Sequence, residues 1–156
     1  MQTQSTRATR HIEAPRHEVY RALIDADAIS RWKVPDGMTI QVHEHDAREG
    51  GRFRISLTYD GIQGEGKTSA RADTYHGHYA TLVPDEKVVE VNEFESKDPA
   101  MRAPMTISIT LADEDGGARL VAVHEGLLAS VPAADNELGW EESLAKLAAL
   151  VERRAS

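Results

Sequence analysis

The chain has 156 residues, 18 Lys+Arg against 26 Asp+Glu, a formal net charge of −8, and no cysteine. That acidic balance, without a dense Lys/Arg block, argues against a nucleic-acid partner, because such binding draws on releasing counterions from neutralised phosphates. The missing thiols exclude disulfide frameworks, Cys-ligated zinc, iron–sulfur clusters and cysteine nucleophiles.

Chemistry must therefore come from His, carboxylate or hydroxyl groups, or from an apolar pocket. Met1 to Arg10 are polar and lack the apolar core of a secretory leader, and no stretch approaches the ~20 apolar residues that span a bilayer. With no internal repeat or low-complexity tract, the expectation is a single domain over residues 1–156, in the cytoplasm, without membrane contact.

Thr6 to Ile12 reads as a short strand. Glu13-Ala14-Pro15 then introduces a helix, with proline at a first-turn position where its missing N–H does no harm. Val19, Ala22, Leu23, Ala26, Ile29 and Trp32 follow helical spacing, and Asp25-Ala26-Asp27 divides the stretch into two short helices.

After the turn Pro35-Asp36-Gly37 the period changes to two. Met38, Ile40 and Val42 alternate with polar residues, and beyond Gly50-Gly51 so do Phe53, Ile55 and Leu57, which predicts a hairpin. Further strands are predicted over Thr74 to Val83, Val88 to Glu95, Met105 to Leu111 and Arg119 to Glu125, with turns at Pro84-Asp85-Glu86 and Asp115-Gly116-Gly117. Trp140, Leu144, Leu147 and Val151 lie at i, i+4, i+7 and i+11 and define an amphipathic terminal helix. Its other faces carry an acidic mix, unlike the basic face of a membrane-surface helix. Hairpin-linked strands imply an antiparallel sheet, and the amphipathic helix must cover its apolar face: an α+β architecture.

Several of these residues recur in a known order. Ala14-Pro15, Val19, Ala22-Leu23, Ile29 and Trp32, then Gly51-x-Phe53, then Gly77-x-Tyr79 with Leu82-x-Pro84-x-Glu86-Lys87-Val88-Val89, and last Gly139-Trp140-x-x-Ser143-Leu144-x-x-Leu147, resemble the START-like (SRPBCC) superfamily. Within it, the chain is similar to the branch named for homology to the heat-shock-protein-90 ATPase activator, over about residues 7 to 152. The resemblance implies a helix-grip fold: a seven-stranded antiparallel sheet wrapped around the C-terminal helix, two short helices after the first strand, and an elongated cavity that in other members holds hydrophobic molecules. Fold does not transmit function, so the cavity must be argued from its own residues.

His124 shares a face with Leu120 and Ala122 and is expected to look inward, as a general base, as a polar anchor for a ligand, or as a core histidine bonded to a backbone carbonyl. In one register Glu93 shares an inward face with Val89 and Val91 and could pair with His124. In the other, Val88 and Phe94 are inside and Glu93 meets solvent; a one-residue slip exchanges the faces.

Met38, Phe53, Tyr79, Ile107, Ile109, Trp140 and Leu144 are the expected apolar walls, although packing alone accounts for such residues in any core. His43/His45 and His76/His78 have the i, i+2 spacing that puts two ligands on one strand face. The implied fold sets the pairs about 9–10 Å apart across an intervening strand, so solvent-facing histidines, with no metal and no cofactor, are expected. Gly61 to Thr68 satisfies the phosphate-loop string G-x-x-x-x-G-K-[ST], but no apolar helical stripe follows it, and a hairpin loop is the reading.

The function expected is binding of a small hydrophobic or amphipathic molecule. The rivals are a cyclase or hydrolase acting on an aromatic or polyketide-like substrate through His124 and Glu93, and a co-chaperone-like protein-interaction domain. A symmetric homodimer is the default for a small protein of this kind.

Overall fold

The structure, a computed structural model, describes residues 3–60 and 72–155. Strand β1 (Thr3–Ile12) buries Thr6, Ala8 and Ile12 on one face. It begins before the expected Thr6 because its partner strand carries a ladder out to the pair Thr3 and Leu128, drawing polar residues into the sheet.

Pro15 sits just outside α1 (Arg16–Ile24), where its carbonyl accepts from the amides of Glu18 and Val19. Asp25 ends α1 in an extended conformation and starts α2 (Ala26–Trp32), and its Oδ2 accepts from Ala28 N at 2.9 Å. That side-chain acceptor satisfies an otherwise orphaned first-turn amide, so the break predicted at Asp25 is a cap shared between two helices. Trp32 Nε1 donates to Ala22 O at 2.9 Å and ties α2 back onto α1.

Six strands follow: β2 (Met38–His45), β3 (Arg52–Tyr59), β4 (Ala72–Val83), β5 (Lys87–Phe94), β6 (Met105–Glu114) and β7 (Gly117–Leu128). A 3₁₀ turn (Pro99–Arg102), which periodicity gave no sign of, interrupts the link from β5 to β6. Asp115 and Gly116 both take positive φ, 47° and 81°, as a two-residue hairpin matched to the strand twist requires. The seven strands form one sheet in the order β1-β7-β6-β5-β4-β3-β2, antiparallel throughout. The two short helices carry the chain from β1 across to the opposite edge at β2.

Helix α3 (Ala133–Ala155) packs into the concave side. Leu144, Leu147, Ala148 and Val151 are buried there with Ile12, Phe53, Ile55, Val88, Ile109 and Leu120. Each large side chain so buried stabilises the fold by about 1.5–3 kcal/mol relative to exposure, which fixes the helix in the grip of the sheet.

Candidate functional site

The helix does not fill the sheet evenly. Its second half carries Leu144, Leu147 and Val151, whereas its first half offers Asn136, Gly139 and Ser143 to the same side, with Trp140 as the one large ring. Small and polar residues cannot occupy the space a leucine would, and a cavity of about 640 Å³ lies between this half of α3 and the sheet.

The boundary follows the pairing. One row of inward residues, Val88, Ile109 and Ala122, is packed solid. The next, Glu90, Ile107 and His124, marks the edge of the hollow, and the row beyond it, Asn92 and Met105, lies within.

Of the walls expected from sequence, Met38, Ile107, His124 and Trp140 line this cavity. Phe53, Tyr79, Ile109 and Leu144 do not: each is at most 4% exposed and belongs to the filled half. Periodicity identifies an inward face but not the point along it where packing stops. Asn92, Tyr75, Met105, Ser143 and Lys33, all lining the cavity, were not anticipated.

His124 looks inward, as expected. Its Nδ1 receives Trp140 Nε1–H at 3.3 Å and Asn136 Nδ2 at 3.4 Å, and its Nε2 lies 3.3 Å from Met105 Sδ. Indole nitrogen only donates, so Nδ1 must be the acceptor, which assigns a neutral ring protonated at Nε2. Burial first, and the charge of Lys33 second, hold its pKa down to about 4. The partners are side chains, not the backbone carbonyl of the core-histidine reading. A ring whose basic lone pair already faces two donors suits an anchor better than a proton acceptor.

The inward-Glu93 register is corrected. Glu93 does share a face with Val89 and Val91, but that face is the outer one. There it pairs with His76 at 2.9 Å, while the other ring nitrogen of His76 meets Glu95, which also holds Arg54. Glu93 therefore cannot act with His124.

The inward carboxylate of β5 is Glu90. Lys33 Nζ stands 2.8 Å from both of its oxygens, with Glu90 5% and Lys33 12% exposed at the side chain. Asn92 Nδ2 approaches Glu90 Oε1 at 3.4 Å, and the ammonium lies 5.5 Å from the centre of the Phe53 ring. A buried charge survives only when paired and hydrogen-bonded, which is how a Glu occupies this face.

The premise of the first histidine pair also fails. β2 carries a bulge between Val42 and Glu44, so that His45, opposite Phe53, turns inward while His43 stays outside. His45 Nε2 shares a hydrogen bond of 2.9 Å with the Tyr79 hydroxyl, and burial lowers its pKa. His43 meets Ser56 Oγ at 2.8 Å. One strand, β3, does separate these residues from His76 and His78. Among the described residues no group of three or more His, Asp or Glu is arranged to hold a metal ion. The phosphate-loop string Gly61 to Thr68 lies outside the described residues.

A seven-stranded antiparallel sheet gripping a long C-terminal helix, hollow at one end, defines the class: a helix-grip domain of the SRPBCC type, a fold that commonly holds hydrophobic ligands. The chain belongs to the Activator of Hsp90 ATPase homolog 1-like protein family, whose model matches residues 13–152. Protein CV1439 from Chromobacterium violaceum is 35% identical, with 96% of this chain and 98% of that one covered and a TM-score of 0.83. The AHSA1 protein from Silicibacter pomeroyi, 21% identical over 97% and 99% of the two chains (TM-score 0.74), and protein Ms6760 from Mycobacterium smegmatis, 17% over 100% and 96% (TM-score 0.71), share the fold. No curated protein matches the chain. Among the described residues no helix is long and apolar enough to cross a membrane.

Proposed function

We propose that the protein binds a small hydrophobic or amphipathic molecule in the cavity between the sheet and the first half of α3. The observation that carries this reading is the hollow itself: about 640 Å³, walled by Met38, Met105, Ile107 and Trp140 among others, within the roughly 300–1,000 Å³ of ordinary small-molecule sites. Apolar walls supply affinity through burial, and His124, Asn92 and Ser143 supply orientation. Leu138, 53% exposed, stands on the rim and is the exposed large hydrophobic of the described residues. Turnover through His124 and Glu93 loses its basis once Glu93 lies on the other side of the sheet.

The test is titration with the uncharged dye N-phenyl-1-naphthylamine. Saturable enhancement of dye emission is expected, accompanied by a change in Trp140 fluorescence. A Met105→Trp variant, which fills the hollow, should keep the far-ultraviolet spectrum and cooperative melt of the parent yet lose the enhancement. Equal dye binding by parent and variant, or none by the parent, would refute the reading.

A further inference from the structure

Tyr75, Asn92 and Ser143 line the cavity and are each more than nine-tenths buried. Among the described residues, the Tyr75 hydroxyl, the Asn92 carbonyl oxygen and the Ser143 hydroxyl have no hydrogen-bond partner, and no buried side-chain polar atom is both sealed from solvent-sized space and unpaired. These three atoms therefore open into the hollow. Buried polar groups are normally satisfied, and three left for an incoming partner, two on the sheet and one on the helix, mark a polar seat.

Tyr75 stands two residues along β4 from Gly77, the residue opposite Asn92, so the two are diagonal neighbours on adjoining strands, while Ser143 comes from the helix. Burial raises the Tyr75 pKa well above its ordinary value, keeping the phenol protonated as a donor. Serine both donates and accepts, and the Asn92 oxygen accepts.

Charge narrows the ligand further. Among the described residues the cavity lining holds one cation, Lys33, against four carboxylates: Asp36, Asp73, Asp135 and Glu142. Lys33 is already matched by both oxygens of Glu90, and Asp36 by Lys146 at 2.8 Å. An anionic group entering here would be desolvated beside Asp135 and Glu142, and among the described residues no free cation lines the cavity to receive it.

We propose that the cavity selects an uncharged ligand whose hydroxyl or carbonyl group seats among Tyr75, Asn92 and Ser143, and discriminates against anionic amphiphiles. This rests on the binding function proposed above and adds the ligand's charge class and polar end.

The experiment compares two probes of one skeleton, 4-phenylphenol and biphenyl-4-carboxylate, titrated at pH 7.5 against the full chain. The phenol is expected to bind at least about tenfold more tightly. Tyr75→Phe, which removes one oxygen, should weaken the phenol about 3- to 10-fold and leave biphenyl unchanged, as loss of a single hydrogen bond does; Ser143→Ala provides a second test of the same seat.

Equal or tighter binding of the carboxylate would overturn this inference while leaving the cavity's binding function standing. So would phenol affinity unmoved by both substitutions, or failure of the phenol to bind a protein that still takes up N-phenyl-1-naphthylamine. If neither probe nor the dye binds, both readings fall.

Discussion

Trp140 Nε1 donates to His124 Nδ1 at 3.3 Å, so the ring on the gripping helix and the imidazole on β7 hold each other in place at the edge of the cavity. Protonating His124 at Nδ1 would set two donors against each other and charge a buried ring.

That relationship predicts an acid sensitivity. The native pKa of His124 is lowered to about 4 from an ordinary 6.5. Between those values the unfolded chain takes up a proton that the native state refuses, so stability declines as pH falls below about 6.5. The loss levels off near pH 4 at about 3 kcal/mol. His124→Asn, whose carbonyl oxygen can replace Nδ1 as acceptor, should remove this part of the pH dependence. Urea unfolding of both proteins at pH 7 and pH 4.5 measures it, and parallel losses would contradict the assignment.

The Lys33–Glu90 pair predicts a strong asymmetry between single and double substitutions. Lys33→Met leaves a carboxylate 5% exposed without its counter-ion and should reduce stability by about 3–5 kcal/mol. Adding Glu90→Gln should restore a large part of that, because the buried charge is then gone. Denaturation midpoints of the three variants decide, and simple additivity would show that the pair does not act as a unit.

Gly77 predicts intolerance to the smallest side chain. A Cβ there would lie 2.1 Å from Val91 O and 2.8 Å from Asn92 Cα, both backbone atoms of the neighbouring strand. Gly77→Ala should therefore lower stability by at least about 2 kcal/mol and disturb Asn92 at the cavity wall. Thermal melts give the first effect, and dye binding at a temperature where the variant is folded gives the second.

Asp25 predicts a modest, local effect. Removing its cap on Ala28 N by Asp25→Ala should lower stability by about 1 kcal/mol, whereas Asp25→Asn should retain most of it. Equal melting temperatures for all three proteins would show that the junction of α1 and α2 holds without the cap.

The succession of strands along the chain, the paired helices and the terminal helix were legible because each rests on periodicity or turn chemistry confined to a short window, whereas the pairing of β1 with β7 joins the two ends of the chain, Thr3 to Leu128. The site was legible only in part. In β5 the outer face carries Val89 and Val91 and the inner face carries Glu90 and Asn92. Alternation alone favours the wrong face, since what reverses it, Lys33 arriving from the end of α2, is a contact across 57 positions. The alternative register, with Val88 and Phe94 inside, was the usable signal for Glu90 and Asn92. His45 was concealed by a single extra residue in β2, which pairing reveals and spacing does not. The extent of the hollow had a visible trace all the same: the large apolar residues of α3, apart from Trp140, begin on the inner face only at Leu144.

The irregularity at His43 and Glu44 also bears on how the molecule keeps to itself. β1 and β2 are the outer strands of an open sheet, and an outermost strand with a straight run of unpaired amides and carbonyls is a template onto which another chain can add. β1 shifts register between Gln4 and Thr6, and β2 kinks at its bulge. Both margins are thereby broken, so the feature that turns His45 inward also makes that border a poor seed for fibrous self-assembly.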